Sequence, residues 1–460
     1  MRTFRRLLVV LGFVSSLLLT WLLVLADEPV LPASPALLAP EAGNLLYAGI
    51  HENNINTPDS VATFNLGNGT LVGPALSIAP IGNYPYDATL SQAGSQLWVA
   101  GAVGDGIVVI DETGTLVVQP ITGFGLYPVD IAFSKRGELA YVSNRDSESL
   151  TVINATTLSV VDTYDLSGLS TGILGPGKMA IQPCSGDIYM ASSFDDNLFQ
   201  LDPESGAQLD LLDAGSSLWD LVFSPDGETL YVTDRSGTAD DLIVIDTAAF
   251  TVTARIPVGD DPWGVAISPD GSTVVVANED DGTVSIIDTG TLTVVQTLQL
   301  NPALGDGVFP RDVDISNDGT RAYVPSGNQG ASDAIYVIDL TTNTVAGSLP
   351  LGALNNPNVV AVSPDTFSLD PIPSFSSNSP VANPSVPIQF TDTSGNNPTS
   401  WEWDFGDGLG TSTDQNPTYA YANEGRYTVT LTVTNECGSA TVTGEVRVGI
   451  EIYLPLIQKP

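Results

Sequence analysis

The chain has 460 residues, with 53 Asp plus Glu against 14 Lys plus Arg and a formal net charge of −39. That length exceeds one ordinary domain, and so acidic a surface excludes nucleic acid and anionic lipid as partners, because counterion release from phosphates needs a basic face. One histidine and two cysteines also rule out copper, haem and zinc sites built from several such side chains.

Arg2, Arg5 and Arg6 precede an uncharged apolar run from Leu7 to Ala26, after which Asp27 and Glu28 open an acidic, Pro-rich segment. The layout reads as an export signal, with small Val24 and Ala26 before the cut; the competing reading is an uncleaved anchor, since about 20 apolar residues span a bilayer. Either reading puts the folded part outside the cytoplasm, secreted or at the cell surface. Residues 27–43, rich in Pro and Ala, form a tether.

From there the chain repeats. Its clearest copy, residues 262–300, holds four runs of period-two alternation, Val265 to Ser268, Val274 to Asn278, Thr283 to Asp288 and Thr293 to Leu300. Pro269-Asp270-Gly271, Glu279-Asp280-Asp281-Gly282 and Thr289-Gly290-Thr291 separate them as turns, so the unit is a four-stranded antiparallel meander. Related units start near Tyr84, Tyr127, Pro176, Leu218 and Pro310. A first unit at Leu45 lacks its innermost strand, while Asn358 to Asp365 is such a strand with no second strand after it. The two are complementary, and pairing them closes a ring of seven units without open edges.

The recurring Phe223-Ser224-Pro225-Asp226-Gly227, Tyr231-Val232-Thr233-Asp234 and Tyr141-Val142-Ser143-Asn144 resemble the bacterial YVTN propeller repeats, over about residues 44–365. The resemblance implies a seven-bladed β-propeller, a fold that serves enzymes, surface layers and binding proteins alike. Residues 366–374 form a linker. Across 375–449, Trp401-Glu402-Trp403-Asp404-Phe405-Gly406-Asp407-Gly408 followed by Tyr427-Thr428-Val429 resembles a PKD domain, an immunoglobulin-like β-sandwich used as an extracellular spacer or binding module. The fold class expected is therefore all-β. Residues 450–460 are an apolar tail. Cys184 and Cys437 fall in different modules and are expected as unpaired thiols.

In such a meander the first-to-second turns are alike, as in Ser224-Pro225-Asp226-Gly227 and Ser268-Pro269-Asp270-Gly271, whereas the loops at the other face differ from unit to unit. The residues opening the innermost strands converge at that variable face: Tyr86, Asp87, Asp130, Lys178, Trp219, Asp220, Trp263, Arg311, Asp312 and Asn358. Such a mixture of aromatic, acidic and cationic groups suits an extracellular glycan or protein ligand, or else the acids cap strand starts and the rings cover the channel. His51 has no nucleophile beside it in sequence and reads as a solvated loop residue. Gly168-Leu169-Ser170-Thr171-Gly172 fits a nucleophile-elbow pattern but lies in a Gly-rich loop, not between a strand and a helix. No cofactor is expected; calcium alone stays open, through loops such as Asp195-Asp196-Asn197.

The expected function is non-catalytic binding or adhesion outside the cell. A hydrolase, lyase or lactonase using channel carboxylates with a metal, and a purely structural surface protein, are the competing classes.

Overall fold

The computed structural model describes residues 45–51, 59–66, 69–72, 74–78, 84–91, 95–102, 104–111, 121–123, 125–169, 175–192, 196–236, 240–302, 308–327, 333–349, 351, 354–362, 370–379, 381–396, 398–435 and 437–449. The export segment, the tether, Asp195, Ser170 to Gly172, residues 363–369 and the tail lie outside the described residues. All regular structure among those described is β-strand.

Among the described residues between Leu45 and Val362 the strands form seven antiparallel sheets in sequence order. In the clearest one, Pro262–Ile267, Thr273–Asn278, Thr283–Asp288 and Thr293–Gln299 pair as neighbours. Burial falls from the middle strands outward. Val274 to Ala277 are fully buried, whereas the fourth strand alternates between exposed and half-buried. The alternation of small and β-branched residues explains this gradient, because side chains on both faces of the inner three strands must fit against a neighbouring sheet.

Ring closure is explicit. Pro357–Val362 pairs with Leu45–Ile50, Leu46 opposite Val362 and Ile50 opposite Pro357, so the last strand completes the first sheet. One apolar cluster joins Tyr323, Ile335 and Val337 of the seventh sheet to Leu46, Phe64 and Val360 of the first, and another continues from Tyr47 and Val359 to Leu97 and Val108. Every sheet thus has a neighbour on both faces, and the architecture is propeller-like.

Phe375 to Val448 form a sandwich of a three-stranded and a five-stranded sheet. Trp403, Phe405, Val429, Leu431 and Val433 lie in its core, at alternate positions along their strands. Gly406 has φ +78°, and a Cβ there would stand 2.1 Å from the Thr428 carbonyl oxygen, so only glycine fits. Asp407 shapes the next turn by accepting the Leu409 and Gly410 N–H groups and the Tyr419 hydroxyl, the last at 2.6 Å.

The cysteines correct the sequence expectation. Cys184 and Cys437 form a disulfide, their Cα atoms 4.2 Å apart. Lys135 reinforces the junction, its Nζ donating to the Cys184 and Cys437 carbonyls and lying 3.0 Å from Asp370 Oδ1. A pairing across 253 residues has no local signature, which is why spacing could not reveal it.

Candidate functional site

A bulge opens most of the innermost strands and aims their first residues at the ring axis. Pro85 pairs with Gly101 and Asp87 with Ala100, leaving Tyr86 as the extra residue; Pro357 and Val359 leave Asn358 in the same way. At Pro262 two residues, Trp263 and Gly264, sit between paired positions, and at Leu218 the two are Trp219 and Asp220. The extra residue bends the strand and re-aims its side chains. Proline is tolerated because it stands at the strand start. Before it, Tyr84, Tyr127, Asp261 and Asn356 adopt positive φ of 54 to 77°, an uncommon state for non-glycine residues.

These turns assemble a continuous aromatic array at one mouth of the ring. Ring centroids run from His51 to Tyr84 at 4.6 Å, Tyr84 to Tyr86 at 5.7 Å, Tyr86 to Trp219 at 6.2 Å and Trp219 to Trp263 at 4.6 Å. Tyr127 joins at Tyr86. Guanidinium groups cover the rings: Arg145 lies 3.7 Å from the Tyr127 centroid and Arg235 3.8 Å from that of Trp263. Acids orient the arginines, Asp261 holding Arg235 by a fork of 2.6 and 2.9 Å and Glu279 holding Arg311 at 2.7 Å. Burial pushes Tyr86 up to about 12 and raises Tyr84, so both hydroxyls stay protonated at neutral pH.

Beneath the rings lies a charged axis. Lys178 Nζ bonds Asp87 at 2.5 Å and Asp130 at 3.0 Å. Each axial acid also pins its sheet to the next. Asp87 accepts the Ile131 N–H, Asp130 that of Met179, Asp220 that of Val265 and Asp312 that of Val360, at 2.7 to 3.1 Å. Asp220 additionally accepts its neighbour Leu221 N–H. Burial raises Asp130 to about 7 and Asp312 to about 8, and raises Asp220; Lys178 opposes all three. Burial acts to lower Lys178, but Asp87 and Asp130 outweigh it and the ammonium stays charged.

All ten residues expected at the mouth or axis lie there, Arg311 and Asp312 just ahead of their strand, Asp314–Ile315. Sequence reasoning missed Tyr84, Tyr127 and His51. The Tyr-Pro pairs opening two strands were the available signal for the first two. His51 is a correction: its Nδ1 lies 2.9 Å from Asp59 Oδ2 and its side chain is 16% exposed, so it packs on Tyr84 and is not solvated. Glu279, at the head of the second turn of its unit, pairs with Arg311.

The mouth is nearly filled, with a gap of about 30 Å³ lined by Tyr84, Tyr86, Lys178, Trp219, Trp263 and Asn358 among others. A larger cavity, about 460 Å³, opens at the opposite end of the axis, lined by apolar strand ends such as Leu90, Phe133, Ile181, Phe223, Ile267 and Val362. Nothing in the turn sequences there announced it.

Comparison with known proteins agrees with the two folds. Residues 370–450 match the PKD domain family and residues 192–350 the cytochrome D1 heme domain family. A functionally unknown protein from Desulfotomaculum acetoxidans is 17% identical at a TM-score of 0.56, covering 70% of this chain and 100% of that one. Hydrazine synthase from Kuenenia stuttgartiensis is 18% identical at 0.51, covering 60% and 88%. No curated protein matches.

The heme-domain match overturns the expectation of no cofactor, since the matched family is described by its haem. The side chains do not fit that group. Residues 192–350 contain no His, Cys or Met, and Tyr231, Tyr323 and Tyr336 within them are buried in the sheets. Among the described residues no cluster of three His, Cys, Asp or Glu suits a metal ion. At these identities the comparisons establish a propeller-like fold and a PKD domain, and no more.

Proposed function

We propose that this is an exported binding protein, a seven-bladed propeller of YVTN type that holds a glycan or protein ligand on its aromatic and arginine-covered face. The observation that carries the reading is the array from His51 to Trp263 with Arg235 and Arg311 against its rings. Flat rings with guanidinium edges, fixed by Asp261 and Glu279, offer stacking and hydrogen bonding at little entropic cost, which is what sugar rings and peptide side chains need. The nearly filled gap makes this a surface for stacking, not a deep pocket.

The proposed organisation is a leader or anchor over 1–26, a tether over 27–43, the propeller over 44–365, a linker over 366–374, the PKD-like sandwich over 375–449 and a tail over 450–460. The sandwich serves as spacer or auxiliary binding module, and export through the leader puts the protein outside the cell or on its surface.

The test is to screen the purified full chain against glycan and extracellular-protein panels, with turnover of lactones followed in parallel. Binding without turnover that is lost in Trp263→Ala and Arg311→Ala, both still folded by circular dichroism, is the expected result. Binding to neither panel overturns the proposal in favour of a structural role, and turnover overturns it in favour of catalysis.

A further inference from the structure

The floor of the mouth is unevenly neutralised. Lys178 makes contact ion pairs with Asp87 and Asp130 only, while among the described residues Asp220 and Asp312 accept backbone N–H groups, have no cation in contact and feel the Lys178 charge from further off. Asn358 stands beside them. It is 4% exposed, it lines the same gap as Asp220 and Asp312, and neither its Nδ2 nor its Oδ1 has a hydrogen-bond partner. Leaving both halves of a buried amide unpaired is costly, and here the bulge in Pro357–Val362 holds that amide at the axis. The other asparagines with an orphaned buried atom, Asn144, Asn278 and Asn356, each lack a partner on the oxygen only.

We propose that the mouth takes a primary ammonium group, carried on an unbranched alkyl stem, into the gap between Asp220, Asp312 and Asn358. This rests on the reading of the aromatic face as the binding face and names the chemistry that enters it. An ammonium has three donors, which match one oxygen each of Asp220, Asp312 and Asn358, the buried Asp312 carboxyl releasing its proton to solvent as the cation arrives. The gap of about 30 Å³ has room for such a compact head group. Tyr86, Trp219 and Trp263 line the way in, and ring faces attract a cation while their apolar bodies accept methylenes. The amine comes from a small alkylamine or from a lysine side chain of a protein ligand.

Calorimetric titration of the full chain tests this with n-butylammonium chloride and with Nα-acetyl-lysine methylamide, using the Nε-acetylated lysine compound and sodium chloride at equal ionic strength as controls. Saturable binding of at least one amine, with neither control binding, is expected, and affinity drops by about tenfold or more in Asp312→Asn. Binding of both amines marks a site for the group itself; binding of the lysine compound alone marks a peptide ligand. Asn358→Leu weakens amine binding and raises the Tm of the free protein, because two unpaired polar atoms disappear; a lowered Tm would assign Asn358 a purely structural role and overturn the proposal. Lys135→Met, at the far end of the axis, leaves affinity unchanged. Failure of both amines to bind overturns it as well, as does equal stabilisation by sodium. If the panel screen still finds a ligand sensitive to Trp263→Ala, only the ammonium assignment has failed.

Discussion

The two ends of the ring are built from the same strands and have opposite characters. At one end bulges and left-handed residues throw aromatic and charged side chains across the axis until little space is left. At the other the strands finish on apolar residues joined by tight turns, leaving a cavity of about 460 Å³ beside the disulfide that ties in the sandwich. Repetition therefore fixes the wall of a ring, while the few residues at each strand's end decide what each opening can do.

The largest break in this comparison comes from removing a cation at each end. Lys178→Met leaves Asp87 and Asp130 buried without their partner and is expected to cost about 3 to 5 kcal/mol by urea unfolding. Lys135→Met breaks a solvent-screened pair with half-exposed Asp370 and costs under about 1 kcal/mol. Equal losses would show that the axis is no more demanding than the turns.

Next come the inter-sheet pins. Asp130→Ala orphans the buried Met179 N–H and is expected to cost about 1 to 3 kcal/mol, measured by thermal or urea unfolding. Asp270→Ala removes bonds to Ser268 and Ser272 in a turn open to water and costs about 1 kcal/mol or less.

Titration separates the ends by direction. Asp130 and Asp312 are raised in the folded state by burial, so their contribution is complete below the ordinary aspartate range and is lost as pH climbs through about 7 and about 8. The turn acids Asp202, Asp270, Asp288 and Asp339 are held low by Ser205, Ser268, Thr291 and Thr341, and theirs is present above the ordinary range and lost as pH falls below it. Tm is expected to decline between roughly pH 4 and 8, and Asp312→Asn to flatten the upper part of that decline. A Tm that rises across the window would contradict the burial of the axis.

The smallest effect on stability is expected from Cys184→Ser. It leaves the contacts of Lys135 with Cys437 and Asp370 to hold the sandwich hairpin to the ring, so small-angle scattering should show a longer maximum dimension while the main unfolding transition stays in place.

Much of the mouth was legible in the chain. Tyr86, Trp219 and Trp263 each follow a strand-opening residue, and an aligned position that is aromatic in three units stands out without coordinates. The acids beside them were equally visible, but their use was not. That Asp87, Asp130, Asp220 and Asp312 bind the next sheet's backbone depends on the spacing between sheets, which no single unit encodes. Asn358 is legible as a strand-opening residue at the mouth, but that its amide stays unpartnered shows only once the bulge at Ile50 is seen.

By itself the sequence determined the strands, their inward faces and the complementarity of Leu45 to Ile50 with the strand near Asn358, because period-two alternation and turn residues act over a few positions. Only the tertiary structure decided that Lys178 meets Asp87 across 91 residues, that Cys184 joins Cys437, that His51 packs on Tyr84, and which opening is filled and which is hollow. Those outcomes depend on how sheets lean and bulge around a common axis, and side chains from distant strands share that axis only after every wall is in place.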